Sequence, residues 1–227
     1  MKAVILAAGE GVRMRPLTLT TPKSLVPLLG KPLLRHIVEA LPPSVVELII
    51  VTGYRGDQIK EYCGPEFLGR PVTYVAQTER KGTYHALELC KPYLSKNDAF
   101  AFLYSDDLTD AASIAECLSR PLAIVASHAE HPERFGVITL NADGTIREIE
   151  EKPAAPRSNL VTTATHMITP DIFNYPPVPH PANGEYYFAT ALGAMAREHP
   201  IEVVETKLWI PIGTPGDLAR AETILKT

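Results

Sequence analysis

Lys2-Ala3-Val4-Ile5-Leu6-Ala7-Ala8-Gly9-Glu10-Gly11-Val12-Arg13 is an apolar run that leads directly into a glycine-containing loop. The run is only a few residues long and ends at glycine, so it is typical of a buried strand rather than of a signal peptide. We therefore predict a first strand at Lys2–Ala7 with a flexible loop at its carboxyl end.

Strand-like and helix-like segments alternate after this loop. The predicted strands are Leu48–Val51, Val72–Ala76, Ala99–Leu103 and Leu122–Ala126, and the predicted helices are Leu33–Leu41, Asp57–Cys63, Tyr84–Leu89 and Ala111–Leu118. This order predicts an α/β fold, a Rossmann-like three-layer sandwich whose central sheet is mostly parallel. Ligands of such sheets bind beyond the carboxyl ends of the strands.

The pattern changes in the last third of the chain. Predicted strands Val137–Leu140 and Ile146–Ile149 flank an Asp-Gly pair, which is a strong hairpin signal. Strand Val161–Ile168, helix Tyr187–Arg197, strands Ile201–Val204 and Leu208–Ile210, and a last helix that begins at Thr214-Pro215 complete the prediction. We expect an antiparallel C-terminal extension of the sheet. Residues 1–227 are expected to form one domain, with two halves at 1–120 and 121–227.

The composition limits the possible partners. The 227 residues are 45% hydrophobic and carry a net charge of −4, which argues against a nucleic-acid surface. No apolar run is long enough for a membrane span. The three cysteines, Cys63, Cys90 and Cys117, are odd in number and far apart, which favours reduced thiols in a cytoplasmic protein.

The loop after the first strand has the features of a phosphate-binding loop. Gly9 and Gly11 are expected to take positive φ and to expose amides for an anion. Arg13 adds a guanidinium fork and Lys23 a point charge, both of which suit phosphate. The loop lacks the Gly-Lys-Ser/Thr ending of a Walker motif and the third glycine of a dinucleotide fingerprint.

The pattern Leu-Ala-Ala-Gly-x-Gly-x-Arg-Met-x-Pro-Leu-Thr, followed by Pro22-Lys23, resembles the loop of the sugar-phosphate nucleotidyltransferases. That family includes glucose-1-phosphate thymidylyl- and uridylyltransferases and the short N-acetylmuramate-1-phosphate uridylyltransferases. Gln77 and Gly82-Thr83 resemble its base-reading segment, which favours UTP or dTTP because an amide can pair with a uracil or thymine edge. The resemblance implies nucleotide contacts from Leu6, Ala8, Gly9, Gly11, Gln77, Gly82 and Thr83.

A carboxylate follows the apolar strand that ends near Tyr104. The resemblance implies that Asp106 binds Mg²⁺ and that Asp106, Arg13 and Lys23 carry out catalysis. A carboxylate at the carboxyl end of a core strand suits Mg²⁺ on a nucleotide. Asp107 and Asp110 are alternatives, and for Asp110 we favour the cap of the next helix.

The resemblance implies a nucleotide-binding half at 1–120 and an acceptor-binding half at 121–227, and the acceptor-binding half matches the family pattern less well. Gly136, Glu151 and Lys152 resemble its sugar-binding and phosphate-binding residues. Other positions depart from it: Ala164 and His166 replace the expected glycine and aromatic residue, Ala189-Thr190 stands in place of Thr-Asp, and Pro211 in place of a second metal-binding aspartate.

We therefore predict transfer of UMP or dTMP to a sugar 1-phosphate, with release of pyrophosphate, by a monomer or homodimer. Two alternatives remain open at this point. One is a nucleotide-binding regulatory homologue that has lost catalysis, and the other is the same chemistry on a non-sugar acceptor such as phosphocholine or inositol phosphate.

Overall fold

The computed structural model of the protein describes residues 1–96 and 98–226. The strands are β1 Lys2–Ala7, β2 Pro27–Leu28, β3 Lys31–Pro32, β4 Glu47–Thr52, β5 Glu66–Phe67, β6 Arg70–Ala76, β7 Phe100–Tyr104, β8 Asp107–Thr109, β9 Ala123–His128, β10 Gly136–Leu140, β11 Ile146–Glu151, β12 Leu160–Ile168, β13 Glu202–Glu205 and β14 Trp209–Pro211. The α-helices are α1 Leu33–Glu39, α2 Gly56–Cys63, α3 Thr83–Glu88, α4 Ala111–Leu118, α5 Phe188–Met195 and α6 Pro215–Leu225. Short 3₁₀ turns lie at Val12–Met14, Leu17–Leu19, Lys23–Leu25, Lys91–Tyr93, Pro132–Arg134 and Pro170–Asn174.

A ten-stranded sheet forms the centre of the molecule, in the order β11-β10-β12-β7-β1-β4-β6-β5, with β9 pairing to β12 and β13 pairing to β9. Strands β7, β1, β4 and β6 are parallel to their neighbours within this group. Strand β12 is antiparallel to β7, and the β10–β11 hairpin is antiparallel as well. The predicted α/β fold with an antiparallel extension is confirmed.

Alternate residues of the sheet strands face two separate apolar layers. In β1, Ala3 and Ile5 pack with α1, α2, α4 and α6, whereas Val4 packs with α3 and α5 on the opposite face. This period of two is expected for a strand that is buried on both faces. The result is the predicted three-layer arrangement.

The first strand and helix α4 have the predicted bounds, and most other long elements differ from prediction by one to three residues at an end. Helix α1 ends at Glu39 rather than Leu41, because Pro42 and Pro43 follow and cannot continue a helix. Thr214 caps α6 as predicted, since its Oγ1 accepts a hydrogen bond from Asp217 N at 3.2 Å. Asp110 caps α4 in the same way, through Ser113 N at 2.8 Å.

The sequence prediction missed β8, a strand of three residues directly after β7. Strand β8 pairs with β14 in an antiparallel ladder that sets Pro211 opposite Asp107. This pairing brings the C-terminal part of the chain to the carboxyl end of β7.

Within the described ranges, no helix is long and apolar enough to cross a membrane. Cys63, Cys90 and Cys117 are all free thiols and all buried.

Candidate active site at the carboxyl ends of the central strands

Two cavities lie side by side beyond the carboxyl ends of the central strands. The small cavity, of about 390 Å³, is lined by Leu6, Ala8, Gly9, Gly11, Gln77 and Gly82. The large cavity, of about 760 Å³, is lined by Arg13, Gly136, Glu151 and Lys152. Lys23, Thr83, Tyr104 and Asp106 line both cavities. All of the site residues predicted from the sequence therefore border one cavity or both.

The loop after β1 wraps around the mouth of the small cavity. Gly11 has φ +64°, and a Cβ there would lie 3.0 Å from the side chains of Lys23 and Thr18, so any other residue would be crowded and strained. Thr18 Oγ1 donates a hydrogen bond to Gly11 O at 2.7 Å and fixes the loop. The expected positive φ of Gly9 is wrong: Gly9 lies outside that region and has open space around its Cα.

Gln77 follows β6 at the back of the small cavity and is largely buried. Its Nε2 donates to Gly82 O and to His85 Nδ1, both at 3.2 Å. With the amide assigned this way, the nitrogen is engaged within the protein and the oxygen is the group left to accept from a ligand. The expected pairing of the Gln77 amide with a base edge is therefore limited to its oxygen.

Gly82 packs against the protein's own backbone. A Cβ there would lie 2.5 Å from Tyr186 O, and its φ is +99°. The backbone of Tyr186 fills this space: Tyr186 N donates to Lys81 O at 2.8 Å, and Tyr84 N donates to Tyr186 O at 2.9 Å. Thr83 Oγ1 accepts from Phe188 N at 2.9 Å, at the start of α5. Residues 81–84 are thus hydrogen-bonded to the loop that precedes α5 and to the first residue of that helix.

A lysine and an aspartate meet where the two cavities join. Lys23 Nζ donates a short hydrogen bond to Asp106 Oδ2, and the lysine side chain is largely buried. Asp107 points to the same region and accepts from Trp209 Nε1 at 2.9 Å. Burial, and then the negative charge of Asp106, raises the pKa of Asp107 to about 7. The two carboxylates are therefore adjacent, with Lys23 bonded to Asp106 and Trp209 bonded to Asp107.

Gly136, Glu151 and Lys152 lie together in the large cavity because β10 and β11 pair Gly136 with Glu151. A Cβ on Gly136 would lie 2.9 Å from Thr162 Oγ1 and 3.3 Å from Glu151 Oε2, so glycine keeps this wall of the cavity clear. Burial raises the pKa of Glu151. Lys152 Nζ lies 3.5 Å from Glu151 Oε1.

Tyr187 was missed as a site residue because the sequence prediction placed it in the first turn of α5. Its hydroxyl accepts from Lys152 Nζ at 3.0 Å and from Asn183 Nδ2 at 2.8 Å. Lys152 Nζ also lies 4.1 Å from the centre of the Tyr187 ring. Position 152 has φ +48°, so the backbone and Tyr187 together direct the ammonium group. The pair of tyrosines after Gly184-Glu185 was the only sequence signal for this contact.

Among residues 1–96 and 98–226, no three or more histidine, cysteine and acidic side chains come together as a metal cluster. The candidate cation ligands are the adjacent Asp106 and Asp107. Pro211 contributes no ligand from the facing strand. Carboxylate oxygen is the donor that Mg²⁺ prefers, and one or two carboxylates suffice when phosphates and water complete its coordination.

The molecule is an α/β protein with two joined cavities at the carboxyl ends of its strands, which is where sheets of this kind bind ligands. The chain belongs to the nucleotidyl transferase family, whose sequence profile matches residues 2–227. This membership makes the chain an enzyme and confirms the resemblance seen in the sequence.

Two relatives of known function illustrate the similarity. The UTP–glucose-1-phosphate uridylyltransferase AglF of Haloferax volcanii is 34% identical over 238 residues, which cover 100% of this chain and 97% of the relative. The bifunctional protein GlmU of Methanocaldococcus jannaschii is 30% identical over 228 residues, 99% of this chain and 54% of the relative. The chain thus spans about half the length of that bifunctional relative.

A solved UDP-glucose pyrophosphorylase, crystallised with UDP-glucose, superposes with a TM-score of 0.84 and 24% identity over 99% of this chain and 98% of its own. At this identity the likeness supports the fold only.

Proposed function

We propose that the chain transfers UMP or dTMP from UTP or dTTP to a sugar 1-phosphate and releases pyrophosphate. The observation that carries this proposal is the junction of two cavities at Lys23 and Asp106. A nucleotidyl transfer needs two phosphorylated substrates whose phosphates meet at one point. The similarity to a uridylyltransferase that uses glucose 1-phosphate supports the choice of acceptor class.

In this proposal the small cavity binds the nucleoside. The free oxygen of Gln77 would accept the ring N–H of uracil or thymine, which cytosine lacks at that position. The backbone amides around Gly11 would bind the phosphates. Leu6, Ala8 and Gly9 would line the nucleoside site, and Gly82 and Thr83 would support it through their bonds to the loop before α5.

The large cavity would bind the acceptor. Glu151 is an acceptor for sugar hydroxyls on the cavity wall beside Gly136. Lys152, held by Tyr187, offers a positive charge to the sugar phosphate. Both groups lie on one hairpin, so their relative positions are fixed.

The chemical step is an in-line displacement. An oxygen of the sugar phosphate forms a bond to the α-phosphorus of the nucleotide, and the bond from that phosphorus to the bridging oxygen of the β-phosphate breaks. The electron pair leaves with pyrophosphate, and no proton has to be removed because the acceptor phosphate is already ionised. The protein contributes position and positive charge. Lys23 lies at the junction, and Arg13 would neutralise the departing phosphates.

We also propose that the enzyme uses Mg²⁺, with Asp106 and Asp107 as its carboxylate ligands. The donor set fits this ion, because Lys23 is bonded to Asp106 while the charge of Asp106 acts on the adjacent Asp107, so a further cation would be stabilising. When bound, Mg²⁺ would neutralise phosphate charge. Asp107 would supply the second carboxylate that Pro211 does not provide from the opposite strand.

We propose that the nucleotide-binding half, 1–120, and the acceptor-binding half, 121–227, belong to one domain, since strands of both parts pair in one sheet. The buried free thiols support a reducing, cytoplasmic location. We propose a monomer or homodimer, and light scattering after gel filtration measures this directly.

The test of the function is pyrophosphate release with a panel of UTP, dTTP, CTP, GTP and ATP against several sugar 1-phosphates, phosphocholine and inositol phosphate, with and without Mg²⁺. We expect turnover with a uracil or thymine nucleotide, a sugar 1-phosphate and Mg²⁺. Turnover with phosphocholine or inositol phosphate alone would replace the acceptor class. Tight binding without turnover for any pair would favour the regulatory alternative, which the loss of a carboxylate at Pro211 motivates.

A further inference from the structure

Three arginines line the large cavity without a partner of their own. Within the described part of the chain, the guanidinium groups of Arg13, Arg134 and Arg220 form neither an ion pair nor a hydrogen bond with the protein. Other arginines of the molecule are paired: Arg120, for example, bonds to Glu116 and Glu202. Unpaired cations gathered at one cavity indicate a site prepared for an anion.

These arginines surround one end of the cavity, at the start of α6. A Cβ on Gly213 would lie 3.2 Å from Arg13 Nη2 and 3.5 Å from Asp217 Oδ2, so the absence of a side chain admits the Arg13 guanidinium beside the Asp217 carboxylate. The charge of Arg134 also acts on Asp217. Arg220 lies three residues after Asp217 on the same helix. Arg13 and Asp217 thus meet at Gly213, Arg134 is near enough to act on Asp217, and Arg220 lies on the same helix and lines the same cavity.

Asp217 is bonded to none of these arginines in the described part of the chain. Its Oδ2 accepts from Gly213 N at 3.0 Å and from Thr214 Oγ1 at 2.8 Å, bonds that close the first turn of α6. Glu133 also lines the cavity, but its ion pair is with His131, so the three guanidinium groups remain without a bonded carboxylate among the described residues. A guanidinium fork fits the oxygens of phosphate or carboxylate.

The sizes of the cavities point the same way. A nucleoside triphosphate is larger than a sugar 1-phosphate, yet the small cavity, of about 390 Å³, lies on the nucleotide side, and the large one, of about 760 Å³, on the acceptor side. The large cavity therefore has room for more than a hexose phosphate. Lys152 and Tyr187 are contributed by a different hairpin and helix, so the arginine cluster adds a second centre of positive charge.

We propose that Arg134 and Arg220, together with Arg13, form a second anion subsite in the large cavity. Its ligand is a phosphate-type or carboxylate anion, from one of two sources: the pyrophosphate end of the nucleotide, or an additional acidic group on the sugar acceptor. The inference rests on the proposed function for these two sources, but the subsite itself can be measured without turnover.

The experiment compares the full chain with Arg134→Gln, Arg220→Gln and the double variant. Arg197→Gln is the matched control, because Arg197 is exposed, unpaired and outside both cavities. Inorganic pyrophosphate is titrated into each protein by calorimetry. In parallel, KM is measured for pyrophosphate in the reverse reaction, and for glucose 1-phosphate and glucuronic acid 1-phosphate in the forward reaction.

We expect the double variant to bind one of the two anions roughly tenfold more weakly or worse, since hydrogen bonds to charged groups are lost. KM for glucose 1-phosphate should stay unchanged. Weaker binding and a higher KM for pyrophosphate assign the subsite to the nucleotide. A higher KM for glucuronic acid 1-phosphate alone assigns it to the acceptor. If both values match those of Arg197→Gln, the subsite does not exist, even where turnover supports the proposed function. If wild type shows no turnover but binds pyrophosphate through these arginines, the subsite stands and the proposed function fails.

Discussion

The small and large cavities are built in different ways. The small cavity is formed mainly by two short stretches of chain, 6–12 and 77–86, with a few residues beside them. The large cavity is formed by residues from segments as far apart as Arg13, Asp106, Lys152 and Arg220. A site made from short contiguous stretches has a sequence motif, whereas a site made from dispersed residues depends on the tertiary fold.

The two cavities are nevertheless coupled at two places. One is the Lys23–Asp106 pair, which borders both. The other is the contact between Gly82 and Tyr186, which joins the wall of the small cavity to the loop that carries Tyr187. Variants at these positions should affect both sides, and variants elsewhere only one.

The largest effect is expected from Asp106→Asn, at the junction. The variant keeps the shape of the side chain but removes its charge, so we expect kcat to fall by about 10²- to 10³-fold while the fold persists. Pyrophosphate release and thermal unfolding measure the two quantities. Asp57→Asn is the control, because the Asp57 side chain is fully exposed on α2. Activity similar to that of the control would remove Asp106 from the mechanism.

The next effect concerns the buried layer between the central sheet and α5. His166 is buried, packs against Phe102 and Phe188, and bonds to Phe102 O at 3.0 Å. Burial lowers its pKa to about 4, while in the unfolded chain it titrates near 6.5. The neutral ring therefore contributes stability that is present above pH 6.5 and is lost as the pH falls towards 4.

We expect the free energy of unfolding of wild type to lose up to about 3 kcal/mol from this group over that range. His166→Asn keeps a hydrogen-bond donor but cannot titrate. The free energy of unfolding of this variant should therefore fall less than that of wild type over the same pH range, by that amount. Urea unfolding of both proteins between pH 7 and pH 4.5 measures the difference. Parallel pH profiles would show that His166 does not carry it.

Gly82→Ala tests the second coupling point. The new Cβ would lie 2.5 Å from Tyr186 O at a φ of +99°, so we expect a loss of about 1–3 kcal/mol in the free energy of unfolding. KM values for both substrates should rise, because the loop before α5 must shift. Gly9→Ala is the control for stability, since nothing lies within 4 Å of its added methyl group. Equal stability of the two variants in urea unfolding would contradict the packing described for Gly82.

The smallest effect is expected from Tyr187→Phe, on the acceptor side only. The phenol oxygen that Lys152 and Asn183 bond to is lost, but the ring beneath the ammonium group remains. One such hydrogen bond is worth about 1 kcal/mol, so KM for the sugar 1-phosphate should rise by roughly fivefold. KM for the nucleotide should stay constant. A change in the nucleotide KM alone would show that Tyr187 acts on nucleotide binding and not on acceptor binding.

The same contrast explains how much of the molecule could be predicted from its sequence. Strand Lys2–Ala7, the positive φ of Gly11 and the cap at Thr214 depend on local chemistry, and the sequence predicted them. Three contacts join residues that are distant in the chain: Gly82 with Tyr186, Pro211 opposite Asp107, and Lys152 with the Tyr187 hydroxyl. No local pattern encodes these contacts, since they depend on strand register and on loops that meet only in the folded protein.

The most direct test of the central claim is a crystal structure of the protein with a nucleotide sugar, UDP-glucose, bound. The account predicts uracil in the small cavity against the Gln77 oxygen, glucose in the large cavity beside Glu151 and Lys152, and the diphosphate between them at Lys23 and Asp106. A nucleotide sugar bound with its base in the large cavity, or away from Lys23 and Asp106, would contradict it.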